Sequence, residues 1–177
     1  MRFFLITGFL LTLVFSCSKD DTEIKTSGEV VLSSQILGSD VGYVLGFSFE
    51  KAEKISYNLK STIIPDFVVE NNIDLQGNTI GANLSSPKND KAFYLAGEFD
   101  DPSASATFYE ELTEVPSVNF SAKANEIKIG QVYVFQTREN NYAKFRITNL
   151  EIKKYASPQY IEVTIQWKYQ PDGSTLF

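Results

Sequence analysis

Two spacings divide the chain. Phe3 to Phe15 is an apolar run, interrupted only by Thr7, Gly8 and Thr12, behind a single basic residue, Arg2. From Gly28 onward apolar positions recur at every second residue, the period of a β-strand with one buried face. Tyr43, Leu45, Phe47 and Phe49 alternate with smaller or more neutral residues, and Phe67-Val68-Val69 follows a turn at Pro65-Asp66. Ile73–Ser85 holds two short segments around Gly77-Asn78, a pair suited to a tight turn, and Ala92–Phe99 reads as a further strand. In the last third Val132–Thr137, a polar turn over 138–141 and Tyr142–Lys153 predict a hairpin. Phe145 and Ile147 alternate there with Lys144, Arg146 and Thr148, so one face of that strand is buried. Ile161, Val163, Ile165, Trp167 and Tyr169 alternate with Glu162, Thr164, Gln166 and Lys168, and Pro171-Asp172-Gly173-Ser174 closes that strand with a turn. Three long antiparallel strands in succession predict a meander.

One segment departs from period two. Asp101 before Pro102 gives the cap and first-turn order of a helix start. Ala104, Phe108 and Leu112 then stand four apart on one helical face, and Pro116 bars continuation. The pattern predicts an all-β fold, antiparallel and meander- or sandwich-like, with one short helix over 103–112 that caps or plugs the sheet. No internal repeat and no low-complexity stretch divides it. The expected organisation is a leader over 1–16, a polar tether over 17–27 and a single β-rich domain over 28–177.

Composition narrows the chemistry. There is no His, the one Met is Met1 and the one Cys is Cys17. Hydrolysis through Ser-His-Asp or Cys-His needs an imidazole to accept the proton, so both are excluded. So are zinc sites built on His and Cys, and haem ligation by His or Met. A net charge of −6 argues against nucleic acid or anionic lipid as the main partner. With 14 Phe and 9 Tyr the chain is too rich in core formers for a disordered stalk. Carboxylates, Lys, Tyr and hydroxyls remain, and the expectation is a protein that is not an enzyme, with no metal.

The acidic doublets Asp100-Asp101 and Glu110-Glu111 read either as a hard-cation or glycosidase pair or, more simply, as a helix cap and solvated helix positions. Asp172-Gly173-Ser174 lacks the alternating acids of an EF-hand and reads as a turn. Tyr43, Phe47, Phe93, Tyr94, Phe108 and Tyr109 are candidates to line a ligand cavity between the helix and the sheet. Phe108 and Tyr109 point about 100° apart, so at most one faces such a cavity head-on.

The first seventeen residues resemble a bacterial lipoprotein signal. The apolar run is thirteen residues long, short for a membrane span, and ends at Val14-Phe15-Ser16-Cys17 with a small residue before the cysteine. That resemblance implies cleavage before Cys17, acylation there and a membrane anchor. Lys19-Asp20-Asp21 is similar to the charged signal that sends lipoproteins of Bacteroidota to the outer face of the outer membrane.

A second resemblance lies near the C-terminus. Gly130-Gln131-Val132-Tyr133-Val134, Thr137, Tyr142-Ala143-Lys144-Phe145-Arg146-Ile147 and Trp167–Ser174 resemble the HmuY-like lipoproteins of Bacteroidota in order and spacing, over about 45 residues. The resemblance implies an all-β fold, an outer-membrane lipid anchor, an outer-membrane transporter as partner, and haem capture. Its haem ligands, two His or in some members Met, have no counterpart here, so no cofactor is expected, and Tyr is the residual iron-ligand type. Three functions stay open: capture of a small apolar or haem-like ligand, a structural or accessory interaction lipoprotein, and a carboxylate-based glycan hydrolase.

Overall fold

The structure is a computed structural model that describes residues 24–177. The leader 1–16, Cys17 and most of the tether lie outside the described residues. The strands are β1 (Ser27–Ser33), β2 (Val44–Ser48), β3 (Glu53–Tyr57), β4 (Val68–Ile73), β5 (Thr79–Ser85), β6 (Phe93–Gly97), β7 (Lys123–Ala124), β8 (Val132–Gln136), β9 (Tyr142–Lys153) and β10 (Tyr160–Gln170), with one helix, α1 (Pro102–Glu111). All pairings between them are antiparallel. Among the described residues the chain adopts the expected all-β fold with one short helix.

A five-stranded sheet in the order β1-β10-β9-β8-β6 forms one layer. The hairpin β2-β3 and the three-stranded β4-β5-β7 face it. Between the layers lies an aromatic core in which Phe67 stacks on Phe145 (5.7 Å), Phe49 meets Phe135 (5.3 Å) and Phe47 meets Trp167 (5.2 Å). Every odd residue of β10 from Ile161 to Tyr169 is buried in it, as its alternation predicts. In β9 the series Ala143, Phe145, Ile147 continues at Leu150 and Ile152, an even register. Thr164 pairs with Asn149 and Ile165 with Ile147, so Thr148 is the extra residue of a bulge that shifts parity and keeps both runs on the core face.

Helix α1 lies on the other face of the large sheet. Asp101 caps it, Oδ1 accepting from the Ser103 N–H at 3.0 Å. Its buried positions are Ser105 and Tyr109, not the predicted row Ala104-Phe108-Leu112, which is half-buried at the flank. The shift has a cause beneath the helix. Lys144, on the polar side of the β9 alternation, is buried (2% exposed). Its ammonium donates to the Tyr109 and Leu112 carbonyls at 2.6 and 2.9 Å. The Tyr109 ring lies 4.7 Å from that ammonium. Val132 and Val134 are buried on the same face, so all of Val132–Phe135 is covered on both sides.

Candidate functional site

The space between helix and sheet is thus filled by a lysine and two valines, and the six aromatics predicted to share a cavity are dispersed. Phe47 and Phe93 are fully packed in the core between the layers. Tyr94 meets Phe120 (6.3 Å), and Phe108 packs on Phe99 (5.0 Å). Tyr109 covers Lys144 and reaches an open groove of about 620 Å³ shared with Glu29, Glu110, Arg146, Gln166, Trp167 and Lys168, which is largely charged and holds none of the other five candidates. Burial pushes the Tyr109 hydroxyl above its ordinary range, with the Glu110 charge adding to it. The expected single pocket fails for a topological reason: the helix covers the sheet face opposite the aromatic core.

Tyr43 sits elsewhere. A reciprocal pair of backbone hydrogen bonds joins Leu37 and Tyr43 (2.8 and 2.9 Å), folding the loop after β1 back on itself. Val44 pairs with Tyr57 at the end of β2-β3, and a turn follows in which the Asn58 side chain accepts from the Lys60 N–H. These pieces enclose an open groove of about 460 Å³ lined by Ile36, Val41, Tyr43, Val44, Tyr57 and Leu59. Ile36 is 65% exposed and Leu59 97%. Gly42 permits the fold-back, since a Cβ there would stand 2.7 Å from the Ile36 Cγ2. Sequence reasoning found Tyr43 but missed Ile36, Tyr57 and Leu59. The available signal was apolar residues standing in loop segments outside any alternation.

Of the acidic doublets, Asp101 is the helix cap, while Asp100, Glu110 and Glu111 are exposed. Asp172 accepts from the Ser174 N–H (2.8 Å) around Gly173 at φ +73°, which is a turn. Among the described residues no three His, Cys, Asp or Glu side chains converge as a metal group, and no helix is long and apolar enough to cross a membrane. No protein-family model matches the chain, and no curated protein is detectably similar to it.

Proposed function

We propose that the chain is a non-enzymatic, lipid-anchored binding protein of the outer membrane, held at the cell surface through Cys17, that takes a small apolar or haem-like ligand in the Tyr43 groove. The groove itself carries this reading. Its volume of about 460 Å³ falls in the ~300–1,000 Å³ range of small-molecule sites. Its walls are aliphatic and aromatic, and side chains as exposed as Ile36 and Leu59 beside one another mark a contact surface. Tyr43 and Tyr57 supply two hydroxyls, among the described residues the side chains of the residual iron-ligand type along the groove. The resemblance to the HmuY-like lipoproteins agrees with this use, and an outer-membrane transporter is then the receiver.

Haemin titrated into the protein tests it. The expected complex lacks the low-spin bands of His or Met ligation, and Tyr43→Ala and Leu59→Asp each weaken it about tenfold, or ~1.4 kcal/mol. Equal affinity in both variants removes the groove from the reading. Native mass spectrometry of protein isolated from its own host shows directly whether an apolar ligand is retained. A second reading, an accessory subunit that docks on another envelope protein, draws on Leu59 standing at the tip of its turn and on Ile63 (55% exposed) beyond the groove.

A further inference from the structure

Asp66 is a buried carboxylate of which one oxygen has no protein partner among the described residues and opens onto a hollow. It is 7% exposed and lies where the chain crosses onto β2 before entering β4. Gly46 makes the crossing possible, because a Cβ there would stand 2.4 Å from the Pro65 Cγ. The Asp66 N–H donates to the Phe47 carbonyl (2.8 Å), and Oδ2 accepts from the Phe49 N–H (2.7 Å). Oδ1 accepts no hydrogen bond from any described residue, and Asp66 forms no ion pair among them.

The carboxylate lines a hollow of about 170 Å³, more enclosed than the Tyr43 groove, with Glu50, Lys51, Arg138, Glu139 and Tyr169 around it and three isoleucines, Ile55, Ile63 and Ile64, in its wall. At ~30 Å³ per water the space holds only a few heavy atoms. Burial is the main reason that the Asp66 carboxyl is pushed up to about 6. The Glu139 and Glu50 charges add to this, while the Phe49 N–H and Arg138 oppose it. These carboxylates do not converge as a metal group, so a compact cation with N–H donors suits the site better than a metal ion. The two cations of the hollow are not committed to Asp66. Lys51 is exposed, and Arg138 Nη2 donates to the Ile64 carbonyl (2.9 Å). A buried anion inside, with exposed Lys51 and with Arg138 held only by a backbone carbonyl near it, matches a zwitterion whose ammonium enters first.

We propose that this hollow binds the primary ammonium of a phosphoethanolamine-type zwitterion, with the ammonium on Oδ1 of Asp66 and the phosphate on Lys51 and Arg138. The ligand is either a free solute or a lipid headgroup. The position permits the second source, because the Tyr169 N–H donates to the Thr26 carbonyl (2.7 Å), which places the hollow at the end of the domain where the chain enters β1 from the Cys17 side. The proposal is independent of what occupies the Tyr43 groove.

The test follows the Asp66 carboxyl by NMR in the full-length protein in detergent micelles, with phosphoethanolamine, phosphocholine and sodium phosphate compared at matched ionic strength. Phosphoethanolamine at about ten times its Kd for the ionised site should lower the Asp66 midpoint by about one unit. Phosphocholine, which has no N–H, should leave it in place. Arg138→Gln should weaken phosphoethanolamine while sparing methylammonium. Asp66→Asn should abolish stabilisation by either, and Glu139→Gln, an exposed change, should weaken both in a fold left intact. Protein anchored in phosphatidylethanolamine vesicles showing the same fall relative to phosphatidylcholine identifies a headgroup; a fall with the solute alone identifies a free ligand. Equal effects of phosphoethanolamine and phosphocholine, or a midpoint already in the ordinary carboxylate range without ligand, would overturn the proposal.

Discussion

A buried aspartate without an ion-pair partner is a stability problem before it is anything else. The Asp66 carboxyl titrates at about 6 in the folded chain against an ordinary 3.8. Between those values the native state holds more protons than the unfolded state, so stability falls as pH rises through that window. Below it the penalty is absent. Above about pH 6 it is complete, at roughly two units or about 3 kcal/mol. Asp66→Asn keeps an acceptor for the Phe49 N–H and removes the charge. Urea unfolding should therefore show the variant more stable than wild type by about 1–3 kcal/mol at pH 8, with the difference gone at pH 3.5. A variant less stable than wild type at pH 8 would mean that the charge is already compensated in the folded chain. A residue that costs stability and is nonetheless placed beside an enclosed hollow is a candidate for function.

At the scale of elements, α1 depends on the strand beneath it. Ten residues are too few for a helix to stand alone in water, and its last turn carries no basic residue. Lys144 supplies that charge from β9, donating to two carbonyls at the negative end of the helix. Burial, with Lys168 across the ladder, lowers the proton affinity of its ammonium, so part of the gain is offset. Lys144→Met preserves the packed stem and orphans those carbonyls. A loss of about 1–3 kcal/mol is expected, with hydrogen-exchange protection of α1 falling more than that of β10. Equal protection in both proteins would show that packing alone holds the helix. This dependence explains what the residue pattern conveyed. Strands β8, β9 and β10 and the Asp101 cap were legible because periodicity and capping are local. The buried face of α1 was not, because a lysine belonging to another element chose it. The β9 bulge was written in the switch from Ile147 to Leu150, yet simple alternation reads past it.

For the whole molecule, the decisive facts are long-range pairings that no local pattern encodes. Nothing in the sequence says that β1 joins β10, or that α1 covers the outer sheet face, and the expected helix–sheet cavity failed on that point. The pairing also orients the domain. Ser27 at the start of β1 lies opposite Lys168, while Ser33 at its end leads through two residues to Ile36 and the Tyr43 groove. Seven strand residues span ~23 Å, so the groove opens far from the end where the chain arrives from Cys17. Nine residues from Ser18 to Thr26 reach at most ~30 Å, which sets the domain close to any membrane that holds Cys17. An acidic chain has little electrostatic hold on anionic lipid, so on the proposed reading acylation of Cys17 supplies the attachment, and more than one acyl chain would make it stable. Cys17→Ala should thus move the protein from the detergent phase to the aqueous phase on phase separation, with circular dichroism unchanged. If the variant still partitions with detergent, the exposed surface around Ile36 and Leu59 becomes the membrane contact. The domain would then be inverted, with the groove buried in lipid and the Asp66 hollow facing outward. Haemin added to intact vesicles carrying the wild-type protein separates the two orientations, since only an outward-facing groove binds it from the aqueous side.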